Sequence, residues 1–152
     1  MFDLYAELRR IVETLDASGV TYALVGGLAV SIYTVPRATE DIDLLLAPED
    51  LERTVDAMKA LGFQRAGQPM QVAGGRLEIQ RLIKIDGTDL LPLDLVVPSD
   101  PALVDVLRDR SAVAWEGRQI WIVGLRSLRA LKRLRDSAQD RADLEALGPD
   151  SE

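Results

Sequence analysis

In the passage LVGGLAVSIYTVPRATEDIDLLL, residues 24 to 46, two carboxylates stand two residues apart inside an apolar run, Asp41-Ile42-Asp43. Side chains two apart on a strand share a face, so Asp41 and Asp43 point one way while Ile42, Leu44 and Leu46 point into the core. Two ionised carboxylates this close repel, and burying them unpaired is costly, so the pair calls for a cation. Arg37 or Lys84 would supply one in a structural ion-pair cluster. A hard divalent ion would also serve, because every donor is oxygen: Mg²⁺ takes a few carboxylates, keeps several waters and accepts phosphate oxygens. Asp94 interrupts the apolar LPLDLVV of residues 91 to 97 and becomes a third metal ligand if its strand neighbours that of Asp41. The competing view is that Pro92 marks an edge strand, where Asp94 simply meets water.

Gly26 and Gly27 supply a complementary half. They sit where a short strand turns into a helix, and a turn without side chains lets backbone N–H groups approach an anion at the helix N-terminus. The same glycines also suit close packing of helix on sheet. Arg37, in the loop after Pro36, is placed to reach a triphosphate or simply to meet solvent. Thr39 and Ser31 offer hydroxyls to a ligand or to the backbone. Lys132 lies on the edge of the apolar stripe of its helix, aimed into a cleft or paired with Asp136. Phosphoryl or nucleotidyl transfer asks for this combination of a metal-holding carboxylate set and a phosphate cradle.

Composition removes other chemistries. The chain has 152 residues with no cysteine and no histidine, so thiolate and imidazole nucleophile pairs and metal sites are unavailable. Eighteen basic against twenty-five acidic side chains give a formal charge of −7, which argues against nonspecific nucleic-acid coating. Residues 126 to 135 still carry Arg126, Arg129, Lys132, Arg133 and Arg135 with no acid. Arg126, Arg129 and Arg133 share a helical face, read here as a solvated face, since no aromatic side chains are interleaved for stacking. No apolar run nears the 18 or so residues of a membrane span, and the amphipathic start is unlike a signal peptide, so a cytoplasmic protein is expected.

The elements that must position these residues alternate between helix and strand. Leu4, Leu8, Ile11, Val12 and Leu15 predict a helix over 3 to 17, ended at Gly19. A strand follows over 21 to 25, a short apolar helix over 27 to 33, and a strand buried on both faces over 41 to 46. Pro48 opens a helix with Leu51, Val55, Met58 and Leu61 inward, stopped by Gly62. Strands over 77 to 85 and 90 to 97 flank the Asp86-Gly87 turn. Asp100 and Pro101 open a helix to residue 107, and a hairpin over 111 to 115 and 118 to 123 turns at Glu116-Gly117, with Trp115 and Trp121 filling the core around it. Helices over 125 to 136 and 138 to 147 close the chain before a polar tail, 148 to 152. Asp140 and Asp143 read as capping and surface charge. The fold class is α/β (α+β): one domain over 1 to 147, with a mixed sheet flanked by helices and a C-terminal helical pair.

Gly26-Gly27, residues 28 to 40, then Asp41-Ile42-Asp43 and a later strand aspartate resemble the signature of the nucleotidyltransferase superfamily, which includes polymerase beta and the aminoglycoside nucleotidyltransferases. More narrowly, the passage is similar to AbiEii-type abortive-infection nucleotidyltransferases of toxin-antitoxin systems, through an Arg-x-Thr-x-Asp-x-Asp element at Arg37, Thr39, Asp41 and Asp43. LRALKRLRDSAQDRADLEAL is similar to the closing element of that family, a lysine followed by two aspartates, here Lys132, Asp140 and Asp143; Ser137 stands where arginine is common. The likeness spans roughly residues 20 to 147. It implies Mg²⁺-dependent transfer of a nucleoside monophosphate from a nucleoside triphosphate to a hydroxyl of a tRNA 3′ end or a protein. Asp41, Asp43 and Asp94 would hold metal, Gly26, Gly27, Arg37 and Thr39 would hold phosphate, and Lys132 would act in catalysis, with a cognate antitoxin or toxin as partner. The alternative is a catalytically silent module of the same fold, acting as an antitoxin or regulatory subunit; a small-molecule acceptor is a further possibility.

Overall fold

The computed structural model describes residues 2 to 34 and 41 to 148. Helix α1 (Leu4–Ala17) starts where the Asp3 carboxylate accepts the amides of Tyr5 and Ala6, and it buries Leu8, Ile11, Val12 and Leu15. An N-cap of this kind satisfies donors that the helix itself leaves unpaired. Strand β1 (Tyr22–Val25) is buried throughout and runs straight into α2 (Gly26–Tyr33). Strand β2 (Ile42–Leu46) has Ile42, Leu44, Leu45 and Leu46 fully buried, as its unbroken apolar run demands. A 3₁₀ turn over Pro48–Asp50 leads into α3 (Leu51–Lys59), which buries Val55 and Met58.

Two short strands, β3 (Gln64–Arg65) and β4 (Met70–Val72), were not expected from the sequence. They are largely exposed and too short to show alternation. The long hairpin β5 (Leu77–Asp86) and β6 (Asp89–Pro98) is paired along its whole length, from Leu77 opposite Pro98 to Asp86 opposite Asp89. Beyond α4 (Pro101–Val104), the expected helix tightens into a 3₁₀ stretch over Asp105–Asp109. The hairpin β7 (Ser111–Trp115) and β8 (Arg118–Ile122) and helices α5 (Leu125–Arg135) and α6 (Ala138–Leu147) complete the chain. Trp115 and Trp121 pack against the core only partly buried.

The sheet order is β3-β5-β6-β2-β1-β8-β7, with β4 alongside β5. It is mixed: β1 pairs β2 antiparallel and β8 parallel, while β2 pairs β6 parallel. Thus β6 is an interior strand, which corrects the edge reading suggested by Pro92. Pairing with β2 begins only at Leu93, so the proline sits just outside the two-sided part of the strand and breaks no ladder bond to β2.

Candidate active site

Three strands and one helix meet around Asp43. In the β1–β2 pair Asp43 lies opposite Val25, and in the parallel β2–β6 pair it lies beside Asp94. The chain turns at Gly26 with φ of +72° and enters α2 immediately. A Cβ at this position would lie 2.2 Å from Asp43 Oδ2 and 2.7 Å from its Cγ. Glycine is therefore needed twice, for the left-handed backbone and for the space the carboxylate occupies. The first turn of α2 receives no side-chain cap, so no capping side chain takes its leading N–H groups. Gly27 is partly exposed, and its carbonyl accepts the Ser31 hydroxyl at 3.0 Å.

Among the described residues no donor hydrogen-bonds the Asp43 carboxylate. Burial pushes its pKa up to about 7, the charges of Asp94 and Asp41 add to the rise, and Arg135 and Lys132 oppose it. A carboxylate raised in this way is short of positive charge.

The three carboxylates do not enclose a vacant point. Among the described residues, no group of three acidic side chains is arranged to hold a metal ion. Arg81 of β5 stands among them, directly opposite Asp94 in the β5–β6 register. Its Nε donates to Asp94 Oδ1 at 2.8 Å and its terminal NH2 to Asp94 Oδ2 at 2.9 Å. The same guanidinium comes within 3.7 Å of Asp41 Oδ2. The bond to Asp94 above all, with the charges of Asp94, Asp41 and Asp43, raises the pKa of Arg81 further. Of the two cations considered from sequence, Lys84 is bound to Glu7, at 3.2 and 3.1 Å, and Arg37 lies outside the described residues, as does Thr39.

Arg81 was not singled out from the sequence, although a signal existed. With a two-residue turn at Gly87-Thr88, counting back along both strands pairs residue 81 with residue 94. Arg135 was also missed as a neighbour of the site. It is exposed at the end of α5 and lines one hollow with Val25, Gly26 and Lys132.

Lys132 reaches the site through its field alone. Its buried ammonium sits 3.2 Å from Asp140 Oδ1 and 2.9 Å from Asp143 Oδ2. The pairing with Asp136 does not form; Asp136 bonds Arg141 instead. Asp140 does cap α6: Ser137 and Asp140 form a reciprocal capping box. That hydroxyl is the local use of serine at 137. Burial alone would raise the Asp140 pKa, but the Ser137 bonds and the Lys132 charge outweigh it and hold the carboxyl below its usual range. Asp143, read as surface charge, is buried. Arg129 is likewise buried, donating to the carbonyls of Gly148 and Leu147, so it forms no part of an exposed arginine strip.

The mixed sheet flanked by helices is shared with known structures. The chain is similar to the lincosamide antibiotic adenylyltransferase LnuA in its lincomycin-bound form, with a TM-score of 0.64, 18% identity and coverage of 93% of this chain and 94% of that one. It is similar to TM1012 from Thermotoga maritima, with a TM-score of 0.66, 16% identity and coverage of 92% and 91%. It is also similar to ANT(2")-Ia in complex with adenylyl-2"-tobramycin, with a TM-score of 0.65, 15% identity and coverage of 96% and 86%. At these identities the likeness establishes the nucleotidyltransferase fold. No curated protein matches the chain in sequence. The family model described as "Uncharacterised nucleotidyltransferase" matches residues 2 to 119, and the chain belongs to that family. The closer likeness to AbiEii-type members is not among these matches.

No helix among the described residues is long and apolar enough to cross a membrane.

Proposed function

We propose that this nucleotidyltransferase moves a nucleoside monophosphate from a nucleoside triphosphate to an acceptor hydroxyl with Mg²⁺ as cofactor. The observation that supports this reading best is Asp43, a carboxylate without a hydrogen-bond donor among the described residues, set beside Asp94 and Asp41 and against Gly26. The donor set is all oxygen and in its chemistry suits a hard ion, so Asp41, Asp43 and Asp94 are the residues that would hold Mg²⁺, after a local rearrangement that brings them together. When bound, the ion neutralises triphosphate charge and steadies the leaving pyrophosphate. The uncapped N–H groups at Gly26 and Gly27 take a phosphate oxygen, Arg37 and Thr39 add to its binding, and Lys132 of α5 lends charge while paired to Asp140 and Asp143 of α6. Asp94 takes the proton of the acceptor hydroxyl.

The acceptor is proposed as a tRNA 3′ end or a protein side chain, in a cytoplasmic toxin-antitoxin setting with a cognate partner. Neighbours named for lincomycin and tobramycin bring small antibiotics as a competing acceptor class. A second reading, a catalytically silent module, is favoured by one observation: both oxygens of Asp94 are already bonded by Arg81.

The test is transfer of label from each of the four α-³²P nucleoside triphosphates with Mg²⁺, offered total tRNA, a protein lysate, and lincosamide and aminoglycoside antibiotics. Label on one acceptor, lost in Asp43→Ala, is expected. A folded protein that labels nothing moves the weight to the silent module.

A further inference from the structure

Within the cluster that the proposed function assigns to Mg²⁺, the cationic position is already filled by a side chain of the chain itself. The planar fork of Arg81 grips both oxygens of Asp94, and its outer nitrogen reaches toward Asp41, so the guanidinium lies between the two carboxylates rather than beside one. This is set by the backbone: Arg81 and Asp94 are partners in a ladder whose register is pinned from Leu77–Pro98 to Asp86–Asp89. The side chain is nevertheless 40% exposed, against 10% for Asp94. The arginine therefore has solvent to move into, while the carboxylate has little. A bidentate arginine-carboxylate bond is strong and directional, and a divalent ion bridging Asp94 and Asp41 would need the space and the oxygens that Arg81 now uses.

We infer that Arg81 is a built-in counter-ion that competes with the divalent metal for Asp94, so that metal loading requires the guanidinium to swing away from the cluster. The inference rests on the metal-binding reading above. Arg81 is then a positioning residue: it holds Asp41 and Asp94 together without metal, and it weakens binding of the bare ion. Its release gives the site a reason to load metal with the triphosphate, whose negative charge offers the freed guanidinium a new partner.

The test is titration of the full chain with Mn²⁺ alone, without nucleotide, reading free Mn²⁺ by electron paramagnetic resonance, for the native chain, Arg81→Gln, Arg81→Lys and Asp43→Asn. Arg81→Gln is expected to bind Mn²⁺ about tenfold more tightly, a difference of roughly 1.4 kcal/mol. Arg81→Lys keeps the charge but loses the fork, and is expected to fall between the two; it carries the test if Arg81→Gln fails to fold. Equal affinity for the native chain and the Arg81 variants, with binding lost in Asp43→Asn, would overturn the competition and leave the metal site standing. Weaker affinity in Arg81→Gln would also overturn it, showing that Arg81 orients Asp94 for the metal. If no folded variant takes up Mn²⁺, the metal reading itself falls and this inference with it.

Discussion

Two places in the molecule are built from the same parts, one cation between two aspartates, and they behave as opposites. Lys132 between Asp140 and Asp143 is sealed, with side-chain exposures of 7%, 4% and 2%. Arg81 between Asp94 and Asp41 is open on one side, with 40% exposure for the arginine and 41% for Asp41. In the first, every charge is answered: Ser137 adds its hydroxyl and amide to Asp140, and Gln139 adds its amide to Asp143. In the second, Asp43 stands alongside with no hydrogen-bond donor among the described residues. A closed, satisfied cluster locks α6 onto α5, whereas an open one with a surplus carboxylate is where a ligand has something to add.

The contrast breaks hardest at Lys132. Replacing it by methionine leaves two buried aspartates without their cation, and loss of one partner of a buried ion pair costs about 3–5 kcal/mol. Urea unfolding of Lys132→Met at neutral pH should show that loss, and the deficit should shrink at acid pH as Asp140, whose pKa Lys132 helps hold low, protonates. A Lys132 acting only in catalysis would leave the unfolding midpoint where it was.

Gly26→Ala is expected to cost about 2–4 kcal/mol, combining a left-handed backbone penalty with overpacking against Asp43. The same unfolding experiment in an Asp43→Gly background separates the two, since only the backbone part should persist. An equal cost in both backgrounds would deny the contact between Gly26 and the Asp43 carboxylate.

The last effect concerns pH. Asp43 has its folded pKa raised from 3.8 to about 7, by burial first and then by Asp94. The folded state thus holds this proton more tightly than the unfolded chain. Its contribution to stability is complete below about pH 4 and is lost as pH rises to about 7. In chelator, Asp43→Asn should therefore be more stable than the native chain at pH 8, by roughly 4 kcal/mol if the whole shift is realised, and nearly equal to it at pH 4. A flat difference across that range would show that Asp43 is not strained by its surroundings.

Much of the site could be read before the fold was known. The Asp41-Ile42-Asp43 spacing, the glycine pair at a strand-to-helix turn and the buried aspartate of β6 are local patterns. The helices and long strands were legible for the same reason: each carries a local pattern, an apolar stripe in α1, α3 and α5 and a nearly unbroken apolar run in β2 and β6. What escaped reading were β3 and β4, too short for a pattern, and the partners of charged groups. Lys132 was matched to Asp136, one turn away, because neighbours along a helix are all a sequence offers; its actual partners lie on the next helix.

The sequence by itself determined that Asp41 and Asp43 share a face and that a turn free of side chains precedes them, because pleat period and glycine conformation are properties of a few consecutive residues. Only the tertiary structure decided which cation answers which carboxylate. A charge interacts with whatever stands within a few ångströms, and that neighbourhood is set by the parallel pairing of β2 with β6, the register of β5 and the docking of α6. Those contacts join residues far apart in the chain, so Arg81 stands at Asp94 and Lys132 is drawn away to Asp140 and Asp143.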